Sequence, residues 1–248
     1  CTLCVLGKES LPGSAKCTTC ESGKAGIGIN GTCDNCPSGR FRASGMTATA
    51  CRECPIGFSQ RDQGQTSCLP CIPGTYQQAP GHRLCDECPK NTKSEQSNAS
   101  RCTLCVLGKE SLPGSAKCTM CEAGKAGIGI NGTCDTCQAG QYRTSSMNAT
   151  TCEHCPLGYF GSGTGDSSCI PCIPGTFGDE TGLVGECTSC AKDTFTSSST
   201  QTRCVTCPKG KGNSGKSASC GECVAGKRKD VSTQECFECD VGTFQTEP

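Results

Sequence analysis

Whatever chemistry this chain performs is carried by cysteine. All thirty of its cysteines fall in C-x-x-C pairs, fifteen in all, from Cys1/Cys4 and Cys17/Cys20 through to Cys236/Cys239. Three chemistries use that spelling: zinc binding, dithiol redox exchange and a disulfide scaffold. Zinc suits C-x2-C-x12-C-x2-C, but the pairs are odd in number and only two histidines are present, His82 and His154. Redox exchange needs a single active pair in a βαβ setting, and no helical periodicity surrounds any of the fifteen. Four tripeptides, Asn30-Gly-Thr, Asn98-Ala-Ser, Asn131-Gly-Thr and Asn148-Ala-Thr, are candidate N-glycosylation acceptors, which operate in the secretory pathway. Disulfides are the expected state of the cysteines, with no metal site and no cofactor.

The rest of the composition requires such staples. Trp is absent, Phe and Tyr number 7 and 3, and hydrophobic residues including Cys reach 33%, too few for a conventional apolar core at this length. Lys plus Arg equals Asp plus Glu at 23 each, which removes the footprint of a nucleic-acid binder or a membrane-surface protein. No apolar run approaches the roughly 18 residues of a membrane span, so no direct membrane insertion is expected. No signal-peptide pattern is present, and a chain that begins on cysteine reads as a window cut from a longer array.

The elements that position the cysteines repeat with them. Between successive pairs stand 12 to 14 residues, in the order 12, 12, 14, 13, 13, 13, then 12, 12, 14, 13, 14, 13, then 12, 12. A unit of about seventeen residues thus sits in a super-period of six units, as in arrays whose units must stack to bury a face. The copies are 1–101, 102–203 and a partial third, 204–248; residues 1–36 return at 102–137 with three changes. Three residues after the second cysteine of each pair stands Gly in thirteen units, with Asn91 and Asp193 as the exceptions. Gly, Asn and Asp tolerate positive φ, so one left-handed backbone position is predicted in every unit. Two residues further stand Phe41, Tyr76, Tyr142, Phe160, Phe177, Phe195 and Phe244, expected to pack on a disulfide as a small core. Gly13, Gly64, Gly81, Asn98, Gly114, Asn148 and Gly165, four residues before the next pair, mark turns. Each unit therefore reads as a small, irregular β-hairpin with two strands of three or four residues and no helix.

The uniform unit favours a ladder in which the second cysteine of each pair joins the first of the next. Its rungs are Cys4–Cys17, Cys20–Cys33, Cys36–Cys51, Cys54–Cys68, Cys71–Cys85, Cys88–Cys102 and Cys105–Cys118, then Cys121–Cys134, Cys137–Cys152, Cys155–Cys169, Cys172–Cys187, Cys190–Cys204, Cys207–Cys220 and Cys223–Cys236. The alternative is a crossed module, Cys1 to Cys17 with Cys4 to Cys20, although no glycine position alternates with that period. A ladder closes loops of about fifteen residues, worth roughly 3 kcal/mol each in the chain-entropy picture. It predicts an elongated, disulfide-rich tandem-repeat rod with little regular secondary structure, on the order of 150 Å long at ~10 Å per hairpin. Cys1 and Cys239 are left for partners in neighbouring units or in another subunit.

The stretch "CPIGFSQRDQGQTSCLPCIPGTYQQAPGHRLCDECPKNTKSEQSNASRC" carries C-P-x-G-x-[FY] followed by G-x-x-x-C, and Cys88-Pro-Lys-Asn is a variant of it. In these residues the chain resembles the ephrin-receptor-like cysteine-rich repeat, and more loosely the single-disulfide module of tumour necrosis factor receptor domains. That resemblance implies extracellular or cell-surface, disulfide-bonded, elongated stalks and surface proteins.

No paired carboxylates, Ser/His/Asp set or phosphate-cradling loop accompanies the repeats, and His82 and His154 are expected as exposed turn residues, so an enzyme is not expected. The leading expectation is an extracellular structural protein, a rod forming or decorating a filament, surface hair, wall or matrix, whose partners are copies of itself or neighbouring filament subunits. The competing one is the stalk or ligand-binding ectodomain of a receptor or adhesin. Its local candidate is the cluster Lys209, Lys211, Lys216, Lys227, Arg228 and Lys229, facing an acidic glycan. The "AGIGING" segments, Ala25 to Gly31 and Ala126 to Gly132, are expected as exposed strand edges, and Thr194 to Thr202 as a site for O-linked sugar.

Overall fold

Two residues separate the cysteines of each pair, and in every pair from Cys17/Cys20 onward those two residues lie in a strand. The computed structural model describes residues 1–26, 31–127, 133–208, 211–223, 226–229 and 236–243. Within them the strands pair only two at a time, always antiparallel and always with the next strand in sequence. Phe58–Ser59, for instance, pairs with Leu69–Pro70 in the register Phe58 to Pro70 and Ser59 to Leu69. The same pattern joins Lys8–Glu9 to Thr18–Thr19 near the start and Lys227–Lys229 to Cys236–Glu238 near the end. No helix occurs among the described residues.

The spacing C-x-x-C explains the connectivity. Along an extended strand, side chains three positions apart point to opposite faces. Cys68 therefore reaches back to Cys54 of its own hairpin while Cys71 reaches forward to Cys85 of the next. The fourteen bonds run without exception from the second cysteine of one pair to the first of the next, with Cα–Cα distances from 5.4 to 5.8 Å. The crossed module does not form.

A turn follows each second cysteine. In the hairpin closed by Cys54–Cys68 the Phe58 amide donates to the Pro55 carbonyl at 3.0 Å, and Gly57 takes φ +81°. That is the third position of a type II turn, which requires positive φ. Every described occupant of this place is left-handed, including Asn91 at 62° and Asp193 at 61°; Gly210 lies outside the described residues.

The strands are shorter than expected, two residues each, and three only in the last pair. The residue that would extend the first strand instead turns its amide to the next hairpin and its carbonyl to the preceding one. Gln60 illustrates this: its carbonyl accepts from Gly39 at 2.7 Å, and its amide donates to His82 at 3.2 Å.

The chain divides into two compact bodies, the first formed chiefly by Cys1–Met120 and the second by Cys121–Gly129 with Thr133–Pro248. Within each, the buried material is small. The second cysteine of most pairs is buried, as at Cys36, Cys54, Cys88, Cys155 and Cys172, all 0% exposed, while Cys4, Cys207 and Cys239 are half-buried. Both residues of the outer strand are exposed in each hairpin from Thr18–Thr19 to Gly221–Glu222.

Candidate functional site

A junction recurs between successive hairpins, and it is made of backbone. Three hydrogen bonds recur at it. The left-handed residue donates to the next hairpin, as Gly57 to Gln77 at 2.8 Å and Gly158 to Gly178 at 2.9 Å. The residue after the first strand donates onward too, as Gln77 to Ala99 and Gly178 to Gln201, both at 3.0 Å. The later turn then donates back to the preceding cysteine, as Asn98 to the Cys71 carbonyl at 2.8 Å and Thr200 to Cys172 at 2.9 Å. Stacking thus satisfies groups that a two-residue ladder leaves open.

The junction extends to the second neighbour. A Cβ placed on Gly39 would stand 2.0 Å from the carbonyl oxygen of Gly81, two hairpins further along; on Gly158 it would stand 2.2 Å from that of Thr200. Glycine is required there by close approach as well as by φ.

Beside the disulfides runs a polar spine that the sequence reading did not assign. It occupies the place three residues after the left-handed position, with Arg42, Gln60, Gln77, Ser94, Ser111, Arg143 and Thr196 all buried. Gln60 and Gln77 close their own loops, donating from Nε2 to the carbonyls of Ser67 at 2.8 Å and Leu84 at 3.0 Å. Thr196 accepts from the Gly175 amide at 2.7 Å and donates to the Thr176 carbonyl at 3.2 Å.

The two arginines clamp adjacent hairpins. Arg42 donates through Nη2 to the carbonyls of Cys20 and Glu21 at 2.5 and 2.6 Å, and through Nη1 to Met46 at 3.0 Å. Its Nε donates to the Lys24 carbonyl at 2.5 Å. Arg143, 0% exposed, repeats the set on Cys121, Glu122, Lys125 and Met147. Each guanidinium is satisfied by carbonyls without a carboxylate among these partners, so its burial is compensated by charge-assisted hydrogen bonds. A signal existed in the sequence: from Ser10 to Gln245, this position never holds an apolar residue larger than Gly.

The aromatic residues are displaced from the core role expected of them. Phe41, Tyr76, Tyr142, Phe160, Phe177 and Phe195 are half-buried, and Phe244 lies outside the described residues. They end the first strand, and the residue that follows each of them is buried.

Of the candidate glycosylation sites, Asn98 and Asn148 are exposed, whereas Asn30 and Asn131 lie outside the described residues. The Asn148 carboxamide oxygen accepts from the Thr150 amide at 3.0 Å and from its hydroxyl at 2.9 Å. Cys1 is exposed and Cys239 half-buried, both with free thiols. His82 is exposed in a loop, and His154 is exposed in the outer strand Glu153–His154 rather than a turn. In the "AGIGING" segments Ala25 and Ala126 are fully buried, not edge-exposed; 27–30 and 128–132 lie outside the described residues. Thr196 is likewise buried within the Ser/Thr run, leaving Ser197, Ser198 and Ser199 exposed. Of the basic cluster, Lys211 and Lys216 are exposed, Lys227 is half-buried and Lys209 lies outside the described residues. Arg228 and Lys229 belong to the strand Lys227–Lys229, and Lys211 stands 3.6 Å from Glu222. Among the described residues no group of His, Cys, Asp and Glu could hold a metal ion, and no helix is long and apolar enough to cross a membrane.

Hairpins closed singly by disulfides and joined by a repeated backbone junction define a cysteine-rich tandem-repeat protein. Residues 42–82, 59–105 and 144–184 match the family described as tyrosine-protein kinase ephrin type A/B receptor-like, so the chain carries ephrin-receptor-like cysteine-rich repeats in tandem. No curated protein matches it. Fourteen disulfides and these repeats point to an extracellular or cell-surface location, since such bonds persist in oxidising compartments.

Proposed function

We propose that this chain is an extracellular structural protein whose disulfide-laddered hairpins form or decorate a filament, surface hair, wall or matrix. One observation carries the reading: a spacing device, a hydrogen-bonded backbone junction, recurs between successive disulfide-closed hairpins. Each hairpin is also closed covalently, so the repeat distance survives conditions that melt a core built on apolar burial. The role is non-catalytic, and self-association with copies or neighbouring filament subunits follows from it.

Electron microscopy of native material, with and without reductant, tests this. Long, regularly repeating particles that lose their periodicity on reduction are the expected result. Monomeric particles with intact bridges overturn the filament role and favour a receptor or adhesin stalk.

A further inference from the structure

Between the hairpins closed by Cys88–Cys102 and Cys105–Cys118, a cleft of about 370 Å³ opens to solvent, lined by Lys93, Glu95, Val106, Lys109, Lys117 and Cys118. Its volume falls in the range of small-molecule sites. Three ammonium groups share it with one carboxylate, so two positive charges are left over in a chain whose total is zero. Lys93 is spent on Glu95, to which its ammonium is hydrogen-bonded. The Glu95 carboxyl is held below its usual range by that bond and the Lys93 charge, and further by Lys117 and Lys109.

Val106 supplies the other half of the chemistry. It is 66% exposed and lines the same cleft, an apolar surface among cations. A sugar ring bearing acidic substituents has the matching pair of features, a C–H face and peripheral anions. Val5, Lys8 and Lys16 repeat Val106, Lys109 and Lys117 a super-period earlier, within the stretch spelled twice.

We propose that this cleft binds an anionic glycan, with Lys109 and Lys117 receiving sulfate or carboxylate groups and Val106 lying under a ring face. Attraction is local rather than a bulk-charge effect, and Glu95 competes with the ligand for the cations. The site rests on the extracellular location of the repeats and not on the filament role, so either can fail alone.

Titration calorimetry on the full chain at low salt tests it with three tetrasaccharide probes: a heparin-type sulfated one, an oligogalacturonate and neutral maltotetraose. Binding of the sulfated probe alone assigns a sulfate site, and binding of both acidic probes assigns a general acidic-sugar site. The double variant K109Q/K117Q is expected to weaken binding roughly tenfold, and E95Q to strengthen it roughly threefold, as for exposed ion pairs. E122Q, which removes the carboxylate beside Lys125 elsewhere, controls for net charge and is expected to change nothing. Failure of both acidic probes to bind, equal binding by maltotetraose, wild-type affinity in K109Q/K117Q, or equal effects of E95Q and E122Q would overturn the assignment.

Discussion

Gly39 and Gly81 lie two hairpins apart, yet a methyl group on the first would meet the carbonyl oxygen of the second at 2.0 Å. The contact separates two reasons for a glycine. Gly45 has φ +84° with nothing within 4 Å of its missing Cβ, so Gly45→Ala incurs only the left-handed conformational cost, about 1–2 kcal/mol. Gly39→Ala adds a collision with backbone and is expected to cost several kcal/mol in total, on the order of the worst single substitutions. Hydrogen exchange at the Gly39 and Gln60 amides, which donate across successive junctions, is the measurement. Equal losses of protection in the two variants would remove the second-neighbour contact from the account.

Arg143 offers a different test, because its guanidinium holds carbonyls of two hairpins. Arg143→Met leaves those backbone acceptors without their donor, with an expected loss of about 1–3 kcal/mol for each carbonyl that stays buried and unpaired. Arg143→Lys keeps the charge but not the fork, and restores little. Thermal unfolding of the oxidised protein reads both; a lysine variant as stable as wild type would show that charge alone suffices.

Thiol labelling examines the ladder. Iodoacetamide without reductant is expected to modify Cys1 and Cys239 only, and non-reducing peptide mapping to recover Cys71 linked to Cys85 and Cys88 linked to Cys102. Peptides joining Cys71 to Cys88 would signal crossed modules instead.

Expression in a glycosylating secretory host should load Asn98 and Asn148, both exposed in the folded chain. Enzymatic deglycosylation then converts each to aspartate in the peptide map, and Thr150→Ala abolishes the second signal alone. Unmodified asparagine at both would place these sequons outside use.

Much of this was legible in the residues. Cysteine spacing fixes strand direction, and a Gly interrupted only by Asn91 and Asp193 announces positive φ. Thr200 and Lys216 were harder: they take φ 64° and 47° at the place where other hairpins use Gly or Asn. Their amides are held by the carbonyls of Cys172 and Cys190, so tertiary hydrogen bonds override local preference. Arg42 was illegible for another reason. A charged side chain reads as surface until the donors it can offer are matched to carbonyls that only stacking brings together. The aromatics misled in the opposite sense, since a half-buried ring such as Tyr76 mimics a core residue when the real interior is cysteine and amide.

The disulfide ladder also fixes where a pulling force travels. Tension entering at Cys20 crosses to Cys33 through sulfur, runs along three residues to Cys36 and crosses again to Cys51. The loops lie off that path. Fully drawn out, seventeen residues would span nearly 60 Å, whereas a three-residue link spans at most about 11 Å, to which each crossing adds a Cα–Cα step such as the 5.5 Å between Cys20 and Cys33. A chain so wired cannot be unravelled by load; until its sulfurs are reduced it behaves as a nearly inextensible tether, with most of its length held in reserve where force never reaches.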